Sequence, residues 1–247
     1  MKNKNIWIIG ASFGIGEELA NTLGLNNNIA ISGRTLSKLE QLRSNLNKNY
    51  NHLALQLDVL DENSIQIAYN NIILSWGFID IIIYASGVYT PGSFKDLDLH
   101  QGLQTIDTNL NGALRVISIA LPNMLAKNSG HIVLISSASA YTGLPNSGYY
   151  GVSKAGLLYY AQTLKADLSK TNIKVQVVNP GFVDTRLTQK NNFKMPFLLN
   201  TKQASNYIIN KLSSNVFDIC FPKPLIFIIK LLKILPNSLY FFLIKKL

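Results

Sequence analysis

Six short apolar runs recur along the chain, and their spacing constrains the fold more than any other feature. They are NIWIIG at 5–10, NIAISG at 28–33, HLALQLDV at 52–59, IDIIIYASG at 79–87, GHIVLISS at 130–137 and IKVQVVNPG at 173–181. Runs that are polar on neither side are what strands look like when a parallel sheet buries both of their faces. Stretches of helical period lie between them, near 15–25, 35–48, 62–75, 100–127 and 150–169. Strict alternation of strand and helix predicts an α/β fold with a doubly wound parallel sheet of Rossmann type, layered α/β/α.

No linker rich in Pro, Gly or Ser divides the 247 residues, and 47% hydrophobic content is enough for one substantial core. A single domain over 1–221 is therefore expected. Regular alternation stops near residue 185, where TRLTQKNNFKMPFLLN precedes a helix-like stretch at 201–213, so a lid over the site is expected from about 183–213. Residues 222–247 form an apolar tail. The lone Cys220 has no disulfide partner, and MKNKNIWIIG enters a strand without a signal-peptide core, which points to reducing cytoplasm.

The first run ends in GASFGIG, with Gly10, Gly14 and Gly16 at a strand-to-helix turn. Glycines there let backbone approach a pyrophosphate, and the free N–H groups and dipole of the following helix favour its charge. The second run ends in Gly33 and Arg34, where an acid would read the ribose hydroxyls of NAD. An arginine instead suits a 2′-phosphate through charge-assisted hydrogen bonds, so NADP(H) is expected in preference to NAD(H).

YYGVSK at 149–154 places Tyr150 and Lys154 one helical turn apart on one face. A phenol titrates near pH ~10, so it exchanges protons at neutrality only when a neighbouring cation favours the phenolate. An isolated pair at this spacing is more often a surface lysine beside packed tyrosines. The wider pattern decides between the two. GASFGIG, YASG at 84–87, the serines of ISS at 135–137, Tyr150 with Lys154, and NPG at 179–181 resemble the short-chain dehydrogenase/reductases, in family order and spacing from residue 5 to about 185.

That resemblance implies an oxidoreductase interconverting a carbonyl and a secondary alcohol. Tyr150 would be the general acid/base, and Lys154 would lower its pKa and bond the nicotinamide ribose. Ser137 would hydrogen-bond the substrate oxygen, and Asn109 in TNLNG would hold a proton-relay water. Ser12, Phe13 and Ile15 join the three glycines at the cofactor, with Arg34 at the 2′-phosphate and Asp58 and Val59 at the adenine. Ala85, Ser86 and Gly87, then Pro180, Gly181, Val183 and Thr185, complete the cofactor set. Tyr149 has the wrong spacing and falls to the pocket wall or to packing. Two places depart from the family pattern: Ile9 replaces a threonine and Tyr84–Gly87 replaces an Asn-Asn-Ala-Gly run, so hydrogen bonds tying down the cofactor loop are expected to be lost. The family also implies a homodimer or homotetramer. A different class of function, a catalytically silent NADP(H)-binding regulator, would have no need of Asn109, Ser137, Tyr150 and Lys154 together.

The formal charge of +10 owes half its value to Lys223, Lys230, Lys233, Lys245 and Lys246, which share the stretch from Ile219 to Leu247 with no acid. The rest is scattered singly, unlike the basic stripe of a nucleic-acid binder, and no such partner is expected. His52, His100 and His131 stand alone, so no metal site is expected. As one helix from Pro224, the tail would line up Lys230, Lys233 and Asn237 in a narrow polar stripe. Its lysines and Pro236 interrupt every stretch that approaches a transmembrane span. A subunit interface or a peripheral place on the inner face of a membrane remains. Phe193, Met195, Phe197, Leu198 and Leu199 in the lid favour an apolar substrate.

Overall fold

Seven strands follow in chain order as β1 (Asn5–Ile9), β2 (Asn28–Gly33), β3 (Leu53–Gln56), β4 (Ile81–Tyr84), β5 (Gly130–Ile135), β6 (Ile173–Pro180) and β7 (Asp218–Phe221). They belong to a computed structural model that describes residues 1–96 and 98–245. All pair in parallel, in the order β3-β2-β1-β4-β5-β6-β7. The chain winds outward from β1 to β3 and then crosses back to lay β4 on the other side of β1. A crevice opens at that reversal, beyond the carboxyl ends of the strands.

Side chains alternate across the sheet, and both sets are apolar because helices cover both faces. Ile6 and Ile8 of β1 pack with α1 (Gly14–Leu23), α2 (Leu36–Asn45) and α7 (Thr201–Leu212). Trp7 and Ile9 face the opposite layer, built from α3 (Glu62–Trp76), α5 (Gly112–Lys127), α6 (Gly148–Asp167) and α8 (Lys223–Ile234). The buried Trp7 indole N–H donates to Ser32 Oγ at 2.9 Å, so its one polar atom is satisfied. The expected doubly wound, three-layer architecture is present.

Three local features differ from the sequence reading. The stretch 100–127 is not one uniform helix: α4 (Leu99–Ile106) leads through a π-helical turn, Asp107–Asn111, into α5. β7 is a seventh strand beyond the six apolar runs: DICF opens on an acid and lies in no longer apolar run, and its pairing with β6 makes it a strand. The tail is two helices rather than one. Leu235, extended at ψ 148° as a residue before proline prefers, and Pro236 separate α8 from α9 (Asn237–Ile244), which breaks the single polar stripe. Lys246 lies outside the described residues. No helix among those described is long and apolar enough to cross a membrane. Of the expected lid segment, Val183, Thr185, Arg186, Leu187 and Thr188 line the crevice, whereas from Thr201 the chain is α7, whose Ala204, Ile208 and Leu212 are core.

Candidate active site

The crevice is a cavity of about 290 Å³. Every residue singled out from the sequence for catalysis or cofactor binding lines it except Asn109, which is fully buried behind it. At one end β1 turns into α1. Gly10 sits at φ +89°, where a Cβ would stand 2.5 Å from Ser86 N, and a Cβ on Gly16 would stand 2.3 Å from Gly10 O. Only glycine allows the strand, the turn and the helix to come this close. No side chain caps the start of α1, whose N-cap position is Phe13, so its terminal N–H groups face the crevice without a protein side chain competing for them. A backbone-lined turn beneath an uncapped helix suits a pyrophosphate.

Arg34 lies exposed beyond β2 and makes no ion pair with a carboxylate among the described residues. The Asp58 carboxylate is oriented by accepting from Leu60 N at 3.0 Å. Two further cations gather nearby that the sequence reading did not assign. Lys38 Nζ lies 3.9 Å and Arg186 Cζ 3.7 Å from the centroid of the Phe13 ring. Arg186 follows Thr185 in sequence, but only the folding-back of the lid brings it to the glycine loop.

The catalytic end is assembled from β5, the π-turn and α6. Lys154 is 4% exposed and donates from Nζ to Ile135 O at 2.9 Å, with the Tyr150 ring centroid 5.7 Å away. Burial alone pushes its pKa down to about 8. Tyr150 as a residue keeps contact with solvent, yet its phenol is enclosed, and burial pushes it up to about 12. A hydrogen bond from Ser137 works in the opposite sense, and the neighbouring Tyr89 adds a smaller upward push. The expected lowering of Tyr150 by Lys154 is therefore not achieved by protein groups alone, because desolvation of the phenolate outweighs what favours it. Ser137 in turn accepts from Ser139 N at 3.2 Å and Ser139 Oγ at 3.0 Å.

Asn109 lies in the π-turn, a helical distortion frequent at functional sites. Its Oδ1 accepts from Val88 N at 2.7 Å, and its Nδ2 donates to Val88 O and to Ser153 Oγ, both at 3.0 Å. The amide thus fastens the strand-end loop to α6 beside Lys154. Ser136, the other serine of ISS, is a structural tie and donates to Lys154 O at 2.9 Å.

At the two departures the side chain of Ile9 offers no hydrogen bond, and what ties the neighbouring segments is one tyrosine hydroxyl and the backbone. Tyr84, fully buried, donates to Thr108 O at 2.5 Å, and Ala85 N donates to Ile9 O at 2.8 Å. Tyr149 packs against Phe94 at 5.1 Å between centroids and lies over Gly102 of α4. Tyr89, unassigned from sequence, stands edge-on to Tyr150 at 4.8 Å and donates to Asn191 Oδ1 of the lid at 2.8 Å. The lid returns the contact, with Lys190 Nζ donating to Tyr89 O at 2.8 Å. Its Phe193 packs edge-on against Phe182 at 5.8 Å.

This geometry has counterparts among known proteins. A family model described as short chain dehydrogenase matches residues 4–196. An uncharacterized oxidoreductase of Myxococcus xanthus is 31% identical over 242 residues, covering 97% of this chain and 96% of that one. Among solved structures, a short-chain dehydrogenase from Streptomyces avermitilis superposes with a TM-score of 0.83 at 19% identity, covering 92% of each chain. An alcohol dehydrogenase from Thermococcus sibiricus, complexed with 5-hydroxy-NADP, superposes with a TM-score of 0.80 at 20% identity, covering 89% of this chain and 96% of that one.

Proposed function

The chain belongs to the short-chain dehydrogenase family and is an NAD(P)-dependent oxidoreductase, and from that premise we propose that it interconverts a carbonyl and a secondary alcohol on an apolar small molecule, using NADP(H). The observation that carries this reading is the convergence of Tyr150, Lys154 and Ser137 on one end of a cavity whose other end is a glycine-lined helix start. The bound nicotinamide cofactor supplies or takes up the hydride. In reduction, Tyr150 donates its phenolic proton to the developing alkoxide, and in oxidation it takes the proton back. Ser137 gives the same oxygen a second hydrogen bond, so charge developing there meets a fixed dipole. Lys154, held against Ile135 O, places an ammonium beside the tyrosinate that each turnover creates. Asn109 is a positioning residue that keeps the Val88 loop and α6 in register beside that ammonium.

NADP(H) over NAD(H) is supported by Arg34 and by the absence of an acid where β2 ends; the Thermococcus neighbour is complexed with an NADP derivative. An apolar substrate is supported by the Tyr89 ring against Tyr150 at the catalytic end and by Phe193, Phe197 and Leu198, exposed on the segment that follows the cavity-lining residues 185–188. Assembly as a homodimer or homotetramer is supported by Leu103, Val152 and Tyr159, exposed on the adjacent helices α4 and α6. The lone cysteine fits a reducing cytoplasm, with the C-terminal helices peripheral on the inner face of a membrane.

The test is a screen of ketones, acyl-linked ketones, steroids and sugars for NADPH oxidation, repeated with Tyr150→Phe on any substrate the parent reduces. Turnover should fall by about two to four orders of magnitude, while Tyr149→Phe does much less. Near-normal activity in Tyr150→Phe overturns the assignment. Fluorescence titration should show NADPH bound more tightly than NADH, and Arg34→Ala should weaken NADPH alone by roughly ten- to a hundred-fold. Tighter NADH binding by the parent overturns the cofactor preference.

A further inference from the structure

Helices α8 and α9 present an apolar face to the outside of the molecule. α8 is apolar around most of its circumference: Leu225, Ile226 and Ile229 point into the core, while Phe227, Leu231 and Ile234 form an outer stripe at i, i+4 and i+7. Phe227 is 70% exposed and Ile234 76%, and with Leu231 between them they form a continuous apolar patch on one helix face, the kind of surface that marks an interaction site. α9 extends the surface with Leu239 and Phe241, both about half exposed. Lys223, Lys233 and Lys245 are exposed around this surface and make no ion pair among the described residues. Lys230 is different, since it pairs with Asp218 at 2.8 Å.

We propose that the α8–α9 face docks on an anionic lipid bilayer, both helices lying in the plane of the interface with the outer stripe among the acyl chains and the lysines at the phosphates. This deepens the peripheral placement proposed above and rests on it. Charge complementarity selects the occupant. From Ile219 to the end of the sequence there is no acid, and the carboxylate that immediately precedes this stretch, Asp218, is already held by Lys230, Tyr141 and Asn179. A second copy meeting this face about a two-fold axis would set lysine against lysine with nothing to neutralise them. Anionic headgroups neutralise every one of them. The geometry agrees, because two short helices broken at Pro236 suit a surface and neither suits a span.

The same helices adjoin the substrate side of the site. Tyr240 donates its hydroxyl to Gly143 O on the loop that follows Ser137, and Leu225 lies against Gly181 at the end of β6. Docking would hold the mouth of the cavity near the bilayer, where an apolar substrate is concentrated.

The experiment is co-sedimentation of the full chain with vesicles of phosphatidylcholine alone and of phosphatidylcholine mixed with phosphatidylglycerol. The parent should sediment with the mixed vesicles, and less so at high salt or without phosphatidylglycerol. Lys223→Ala and Lys233→Ala should each weaken partitioning to the mixed vesicles by about five-fold at low salt. Phe227→Asp combined with Ile234→Asp should abolish it. A parent that stays in the supernatant with mixed vesicles overturns the proposal, as does a double-aspartate variant that sediments like the parent. If that variant fails to fold, unchanged partitioning of the two lysine variants overturns it instead. Light scattering decides the competing occupant: a parent oligomer that the aspartates dissociate, without vesicle binding by the parent, makes the face a subunit contact. NADPH titration of each variant is independent of vesicle binding, so failure here is distinguishable from failure of the oxidoreductase assignment.

Discussion

At Lys154 and Tyr150 the same physical cause moves two groups in opposite directions. Burial disfavours whichever form is charged, so the ammonium titrates lower, at about 8, and the phenol higher, at about 12. For the lysine this is a statement about stability. Below about pH 8 the folded and unfolded chains both hold its proton, and the folded chain bears the full desolvation cost. Between about 8 and the unfolded value of 10.5 the folded chain alone sheds the proton, so this group's contribution to stability rises with pH. Lys154→Met should therefore raise the melting temperature near neutrality, by a free energy on the order of 3 kcal/mol, while abolishing turnover. The gain should shrink as the pH rises through that window. Calorimetry from pH 7 to 10 checks it, and a gain independent of pH would show that the ammonium is not desolvated.

Three separate parts of the chain meet at one aromatic ring. Phe13 belongs to the glycine loop, Lys38 to α2 and Arg186 to the lid, and the ring holds both cations. An exposed contact of this kind contributes about 0.5–1 kcal/mol, enough to bias a lid without locking it. Across the cavity, Tyr89 makes the second attachment through Asn191 and Lys190. Phe13→Leu keeps an apolar side chain but removes the ring that both cations contact. Hydrogen exchange over residues 183–200 should then speed up by roughly two- to five-fold, and NADPH should dissociate faster. Unchanged exchange would mean that the attachment at Tyr89 holds the lid by itself.

On the scale of the molecule, α8 is part of the core as well as part of the surface. Its Leu225, Ile226 and Ile229 cover the same apolar layer as Ala138, Ala140 and Tyr141, on the segment that follows Ser137. Burying three such side chains contributes roughly 5–9 kcal/mol, comparable with the whole stability of an ordinary domain. A chain ending at Phe221 should therefore lose cooperative unfolding, as seen in the thermal melt by near-ultraviolet circular dichroism. Retention of a sharp transition would show that α8 is an appendage. The outward face of the same helix can be changed without that penalty, which is why point substitutions there are the cleaner probe of docking.

What the sequence by itself determined was whatever is carried by short-range spacing. Apolar runs identified six strands, the glycine spacing marked the turn into α1, and the four-residue interval between Tyr150 and Lys154 sufficed to put both on one face of α6. Each of these follows from the period of a strand or a helix, which operates over a few residues. Tertiary structure alone decided the rest. β7 is a strand because β6 offers it hydrogen-bonding partners, and Asn109 is buried because the π-turn aims its amide at Val88. Arg186 reaches Phe13, and Tyr89 reaches Asn191, only across contacts distant in sequence. The upward shift of Tyr150 belongs to this second group as well. Desolvation depends on everything packed around a phenol, and no spacing of residues along the chain encodes how much water is left there.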